Sequence, residues 1–274
     1  MHTYRRTLTI AGSDPSGGAG IQADMKTMSA LGCYATSAIT AIVDENTQGV
    51  YGVHAVPADM LRGQIRSVLT DIGADAVKIG MLPTTESMRI VHDALVTYGP
   101  SNVVIDPVMV ATSGDALMED GALDYLRSEL LPLARVITPN LPEAERLIGE
   151  KIEEEDFVRA AKEISRCCSA GEGSGVSVLL KAGHLKGERV TDIFYNAESR
   201  EAVELSSPRI QTENTHGTGC TLSSAVASYL AYGQSLNDAV SLAKDYITKA
   251  IANGALYQIG KGHGPVHHFF NFWL

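Results

Sequence analysis

The chain has 274 residues, of which 45% are hydrophobic, and its formal net charge at pH 7 is -10. That length fits one large α/β domain or two small ones. The excess of carboxylates argues against nucleic acid or an anionic membrane surface as the main partner. No apolar run reaches the length of a membrane span, and the first residues lack the apolar core of a signal peptide. The 4 cysteines form no C-x-x-C pattern, so free thiols in a reducing cytoplasm are the simplest account.

The first predicted unit is a strand, a loop and a helix. Residues 7–11 are apolar and β-branched, residues 12–20 are rich in glycine, and residues 21–31 show helical spacing. Open α/β sheets bind ligands in loops at the carboxyl ends of strands, although a flexible connection would also explain the glycines. The loop completes neither G-x-x-x-x-G-K-[ST] nor G-x-G-x-x-G, so any nucleotide site must be of another kind.

Strands and helices then alternate, which predicts a mainly parallel sheet without a repeat or a second domain. Further strands are predicted at residues 34–42, 76–81, 103–106, 136–138 and 176–180, and further helices at 57–72, 84–97, 121–131, 141–148 and 153–168. Residues 44–49 read as a polar exit loop, and residues 50–56 as a short extended segment. Short antiparallel strands follow at 191–195, 202–205 and 209–211, and helices at 220–232 and 236–256.

A turn at residues 214–219 carries Gly217, Thr218 and Gly219 and leads into an apolar helix. Glycines allow backbone N–H groups to close on a ligand, and the first N–H groups of a helix attract anions, so a phosphate fits there. Cys220 follows near the helix N-terminus, where a thiol pKa is usually lowered, which makes it a candidate base or nucleophile. The alternative is a tight turn beside a buried cysteine.

Polar residues end three of the predicted strands: Asp106, Asn140 and Lys181. Asn140 and Glu143 can organise Mg²⁺ through water, or they can form an N-cap with a capping box. Lys181 can reach a phosphate as a point charge, and Asp106 can hold metal-bound water or cap a loop. Together with the glycine turn, these groups suit phosphoryl transfer, which needs positioning and charge neutralisation more than covalent help.

Several segments in a fixed order carry a resemblance to a known family. They are TIAGSDPSGGAGIQAD at 9–24, KIGML at 78–82, DPVM at 106–109, TPNLPEA at 138–144, NTHGTGC at 214–220 and GPVHH at 264–268. The chain resembles, nearly end to end, the hydroxymethylpyrimidine/phosphomethylpyrimidine kinases of thiamine biosynthesis, within the ribokinase-like superfamily. The resemblance implies a single domain over residues 1–274, with three α/β/α layers around a mostly parallel sheet, and usually a homodimer.

The resemblance also implies an activity and a site. ATP and Mg²⁺ would serve the phosphorylation of an aminopyrimidine alcohol, 4-amino-5-hydroxymethyl-2-methylpyrimidine, and then of its monophosphate. Cys220 would be the catalytic base on the anion-binding turn of Gly217, Thr218 and Gly219. Asn140 and Glu143 would correspond to the metal-and-phosphate motif, and Lys181 would serve the ATP phosphates with Asp106 nearby. The pyrimidine pocket would be lined by Gly12, Ala19, Asp24, Val43, Glu45, Met81 and Val108.

One position departs from the family pattern: Glu45 stands where these kinases have a Gln that contacts the pyrimidine. Ionised Glu offers only acceptors, whereas Gln offers a donor as well. Glu45 could keep the aminopyrimidine and add pH dependence, or it could mark a pyridoxal-type substrate. The alternatives are therefore a pyridoxal kinase or dual-specificity enzyme of the same fold, and a non-catalytic precursor-binding protein. A binding protein would need neither Cys220 nor Lys181, and the missing dinucleotide fingerprint disfavours a dehydrogenase.

Overall fold

An eight-stranded sheet runs through the computed structural model, which describes residues 2–109, 118–119, 121–169, 171, 175–183 and 187–273. The strands are β1 (Arg6–Ala11), β2 (Tyr34–Ile39), β3 (Ala41–Asn46), β4 (Gly49–Ala55), β5 (Ala76–Ile79), β6 (Val103–Ile105), β7 (Val136–Ile137), β8 (Ser177–Leu180), β9 (Arg189–Asn196) and β10 (Glu201–Pro208). The helices are α1 (Gly20–Ala30), α2 (Ala58–Ser67), α3 (Thr85–Tyr98), α4 (Ala122–Tyr125), α5 (Leu141–Ile148), α6 (Phe157–Cys167), α7 (Thr218–Ala231) and α8 (Leu236–Gly254).

The strand order in the sheet is β10-β9-β8-β7-β6-β5-β1-β2. The strands from β2 to β8 in this order are parallel, and β9 and β10 continue the sheet antiparallel. The predicted α/β class with a mostly parallel sheet is therefore confirmed. The carboxyl ends of the parallel strands meet at one edge, which is where such sheets bind ligands.

Helices cover both faces of this sheet. Successive strand residues point to opposite faces, so Ile79 and Ile105 join a core with α2, α3, α5 and α6, whereas Ala76 and Val104 join a core with α1, α7 and α8. The second core is rich in alanine, which lets α7 pack closely against the sheet. Within the described residues, no helix is both long and apolar enough to cross a membrane.

The predicted strand at 34–42 is divided in the structure. Thr40 donates its hydroxyl to the Met81 carbonyl at 2.7 Å, and the chain turns out of the main sheet there. The next residues form β3, which pairs only with β4 in a separate two-stranded sheet. The prediction of an exit loop at 44–49 is therefore wrong, because Asp44 and Glu45 lie within β3.

Three other predicted elements differ from the structure, one in kind and two in where they end. Residues 209–211 are not a strand, because pairing between β9 and β10 ends at Pro208. The predicted helices at 57–72 and 121–131 pass into wider, π-type turns at Val68–Ile72 and Leu126–Leu130.

Candidate active site

A cavity of about 770 Å³ opens at the carboxyl edge of the parallel strands. Its wall includes all of the predicted site residues except Asp24, namely Gly12, Ala19, Val43, Glu45, Met81, Asp106, Val108, Asn140, Glu143, Lys181, Gly217, Thr218, Gly219 and Cys220. The cavity has the size of a small-molecule site. One cavity thus brings together residues from both ends of the chain.

The cradle, residues 217–219, forms where two helices begin. Gly217 has φ +75°, and a Cβ atom there would lie 1.7 Å from the Gly18 carbonyl oxygen, so only glycine fits. α7 begins at Thr218 with no side chain capping it, and α1 begins at Gly20 beside it. The Thr218 N–H donates to the Thr215 carbonyl at 3.2 Å. The other N–H groups in the first turn of α7 and the positive ends of the two helix dipoles favour a bound anion at this place.

A charged pair stands against the cradle. Lys181 Nζ donates to Asp106 Oδ1 at 2.7 Å, and the Thr138 hydroxyl donates to the same oxygen at 2.9 Å. A Cβ atom on Gly219 would lie 3.1 Å from Lys181 Nζ and 3.4 Å from Asp106 Oδ2. Burial alone would lower the pKa of Lys181, but the Asp106 carboxylate holds it above its ordinary value. The ammonium group is therefore charged next to the place where an anion would bind.

Asn140 and Glu143 form the capping box that the sequence allowed. Asn140 Oδ1 accepts from the Glu143 N–H at 2.9 Å, and Glu143 Oε2 accepts from the Asn140 N–H at 2.8 Å. Burial raises the pKa of Glu143 to about 7, although Lys181 counteracts this. A buried carboxyl whose pKa is raised in this way, near a second carboxylate, suits a hard cation bound through oxygen atoms. The capping role and a metal-binding role are compatible, because the cap occupies one oxygen.

Cys220 lies half-buried in the cavity wall. Burial raises the pKa of its thiol to about 11, while the Lys78 charge and the Gly20 N–H lower it. The expectation that the helix start lowers this pKa is therefore wrong, because the cost of desolvation exceeds the dipole effect.

A buried ion pair that the sequence did not suggest lies behind this wall. Lys78 Nζ contacts both oxygens of Asp24, at 2.8 and 2.9 Å, and neither side chain is exposed. Asp24 also accepts from Thr9 and Ser224 at 2.6 and 2.7 Å. Asp24 therefore does not line the cavity as predicted; it holds Lys78, a residue that does. Burial opposes the charge of Lys78, but Asp24 keeps the pKa of this lysine above its ordinary value.

A second group missed by sequence analysis connects the glycine loop to the cradle. His216 Nε2 lies 2.8 Å from Asp14 Oδ2 and 3.9 Å from Glu45 Oε1. Their three ligand atoms are close enough to hold a metal ion, but Asp14 already accepts hydrogen bonds from Ser16, Gly18 and Ala19. This carboxylate therefore orders the loop. Despite burial, Asp14 raises the pKa of His216, and His216 lowers that of Asp14.

The C-terminal segment joins the β3–β4 hairpin to the cradle. The N–H of Gly262 donates to the Thr47 hydroxyl at 3.2 Å, and the N–H of His263 donates to the Thr47 carbonyl at 2.8 Å. The N–H of His216 donates to the Gly264 carbonyl at 3.0 Å. One glycine-rich segment thereby fixes both the hairpin that carries Glu45 and the turn that carries the cradle.

The sheet, the uncapped cradle and the lysine–carboxylate pair define a ribokinase-like phosphotransferase. The family model described as Phosphomethylpyrimidine kinase matches residues 14–267. The chain belongs to this family of kinases.

Individual relatives agree with this assignment. The chain is 48% identical over 268 residues to the hydroxymethylpyrimidine/phosphomethylpyrimidine kinase of Rhizobium meliloti, and the matched region covers 97% of each chain. It is similar in structure to the phosphomethylpyrimidine kinase of Clostridium difficile, with 44% identity and a TM-score of 0.76 over 90% of this chain and 99% of that one. It is also similar to the pyridoxal kinase of Bacillus subtilis solved as an ADP complex, with 38% identity and a TM-score of 0.87 over 97% of this chain and 98% of that one.

Proposed function

We propose that the protein transfers the γ-phosphate of ATP to 4-amino-5-hydroxymethyl-2-methylpyrimidine, and then to the resulting monophosphate, in thiamine biosynthesis. The observation that carries this proposal is the position of the cradle. Gly219 lies against Lys181 and Asp106, and the same cavity continues to Val43 and Glu45 on the hairpin. A nucleotide phosphate and a small heteroaromatic alcohol therefore have adjoining places.

In this mechanism the substrate hydroxyl gives its proton to Cys220 as the phosphoryl group arrives. Lys78 and the Gly20 N–H stabilise the thiolate that accepts the proton, against the effect of burial. The other N–H groups at the start of α7 stabilise the charge on the transferred phosphoryl group, and Lys181 neutralises charge on the nucleotide phosphates. Glu143 and Asp106 would hold Mg²⁺ through water, and the metal would neutralise phosphate charge.

We assign the substrate to the part of the cavity lined by Gly12, Ala19, Val43, Met81 and Val108, where Glu45 is a charged group beside His216 and Asp14. We assign Glu45 to the aminopyrimidine, because its carboxylate can accept from an exocyclic amine or pair with a protonated ring nitrogen. A pyridoxal-type alcohol is the second candidate, supported by the likeness to pyridoxal kinases. Glu45→Gln tests this assignment, because an unchanged ranking of substrates would show that Glu45 does not set specificity.

The decisive assay compares ATP consumption with the hydroxymethylpyrimidine, its monophosphate and pyridoxal, side by side. Turnover of both pyrimidines supports the proposal, and turnover of pyridoxal alone favours the second candidate. Cys220→Ala should bind ATP normally and lose about 10²–10⁴-fold in turnover, the usual effect of removing a general base. Normal turnover in C220A would show that Cys220 is not the base.

We also propose that this single-domain enzyme works in the cytoplasm as a homodimer. Exposed apolar side chains on the hairpin, Ile42 at 51%, Tyr51 at 62% and Val53 at 43%, support a second copy as their cover. The net charge of -10 disfavours nucleic acid and anionic membranes as partners. Sedimentation velocity with Tyr51→Glu tests the dimer, and a monomeric parent protein would contradict it.

A further inference from the structure

Another buried ion pair lies on the side of the cavity formed by β9 and α8. Lys244 on α8 donates from Nζ to Asp192 Oδ2 on β9 at 2.7 Å, and the two side chains are only 10% and 4% exposed. Both residues line the cavity. A buried ion pair seldom adds much net stability, because desolvating two charges costs about as much as their attraction returns. Its position therefore suggests a role other than stability.

The second oxygen of Asp192 reaches the residue after Lys181. The Ala182 N–H donates to Asp192 Oδ1 at 2.8 Å, and Ala182 is 2% exposed. This contact stands where two strands separate. β8 and β9 pair from Val178 with Tyr195 to Leu180 with Ile193, and the pairing then stops. Asp192 thus supplies from its side chain the acceptor that the backbone ladder no longer provides.

On either side of Ala182 the backbone bonds to two other segments of the chain. The Lys181 N–H donates to the Pro139 carbonyl at 2.9 Å, and the Gly183 carbonyl accepts from Arg209 Nη1 at 3.2 Å. Three anchors therefore hold residues 181–183, and only the one at Ala182 depends on a buried charge. These anchors fix the backbone from which the Lys181 side chain extends, while Asp106 holds its ammonium group.

We propose that Asp192 is a positioning residue for the kinase reaction, which acts through the Ala182 N–H to hold Lys181 against the cradle, and that Lys244 serves to neutralise Asp192. This inference rests on the proposed role of Lys181 at the nucleotide phosphates. Efficient use of ATP should therefore require an acceptor for the Ala182 N–H. The charges of Asp192 and Lys244 should be needed only to keep that acceptor buried.

Two double variants separate the acceptor from the charges. D192N/K244M removes both charges and keeps an oxygen that can accept from Ala182, whereas D192L/K244M removes the acceptor as well. Neither leaves an unpaired buried charge. We expect kcat/KM for ATP in D192L/K244M to be lower than in D192N/K244M by about 10- to 100-fold, the effect of misplacing a catalytic group by about an ångström. KM for the pyrimidine and the melting temperature should be similar in both.

Equal kcat/KM for ATP in the two folded variants would overturn the inference. If D192L/K244M does not fold, D192T/K244M replaces it. The threonine side chain is one bond shorter than that of aspartate, so its hydroxyl lies further from the Ala182 N–H. Lys181→Met is measured alongside. Normal ATP kinetics in K181M would contradict the proposed role of Lys181, whereas impaired K181M with equal double variants would contradict only the positioning by Asp192.

Discussion

Gly219→Ala should separate catalysis from stability, because the cradle leaves no room for a methyl group at that residue. The added Cβ would lie 3.1 Å from Lys181 Nζ and 3.4 Å from Asp106 Oδ2. Ordinary contacts of this kind are longer, so the ammonium group must move by several tenths of an ångström from its 2.7 Å bond to Asp106. A hydrogen bond to a charged group contributes about 1.5–3 kcal/mol, so the largest expected effect is about a 10- to 100-fold loss in kcat/KM for ATP.

The fold should tolerate the same change. Gly219 lies in the first turn of α7 with an ordinary φ, and replacing glycine by alanine in a helix favours the helix by about 0.5–1 kcal/mol. Gly63→Ala on α2 is the matched control, because no atom lies within 4 Å of its added Cβ. The assay measures ATP kinetics and urea unfolding for both variants. Normal kinetics in G219A, or equal losses in G219A and G63A, would refute the argument from the cradle.

Two further predictions concern pH. Burial raises the pKa of Glu143 to about 7, so its side chain becomes protonated as the pH falls through 7. We therefore expect kcat/KM to be lower at pH values below 7. Glu143→Gln should remove this pH dependence. Between about pH 4.3 and 7 the folded state holds this proton and the unfolded state does not. The free energy of unfolding should therefore decrease as the pH rises through this range in the parent protein, but not in E143Q. The raised pKa of His216 means that its bond with Asp14 stabilises fully below about pH 6.5 and is lost as the pH rises through the folded value. His216→Gln should therefore destabilise by about 1.5–3 kcal/mol at pH 6 and by progressively less as the pH rises, and a loss that does not change with pH would contradict a charged pair.

The cradle and the strand-end residues could be predicted because each depends on its own segment. The glycines of residues 217–219 precede an apolar helix, and Asp106 and Lys181 directly follow apolar strands, so sequence order alone places them at one sheet edge. The helix over 141–148 has the predicted bounds because Asn140 and Gly149 mark its two ends locally.

The missed contacts join residues far apart along the chain. Lys78 and Asp24 are 54 residues apart, and each looks like an ordinary polar residue in its own segment. His216 and Asp14 are 202 residues apart. The pKa of Cys220 could not be predicted for the same reason, because it depends on how deeply strands and helices from other segments bury the thiol. Helix position indicated the dipole but not the desolvation that exceeds it.

The contact of the cradle with the first loop and the last residues has a consequence for synthesis. Gly217 rests against Gly18, and His216 pairs with Pro265 in an isolated bridge. A chain emerging from the ribosome can form its strands and early helices in order, since domains begin to fold during synthesis. Its phosphate-binding place, however, closes only after residue 265 has emerged. A translation product that ends before residue 214 therefore carries Lys78 and the glycine loop without the cradle and Cys220, and we expect it to be inert rather than a partly active kinase.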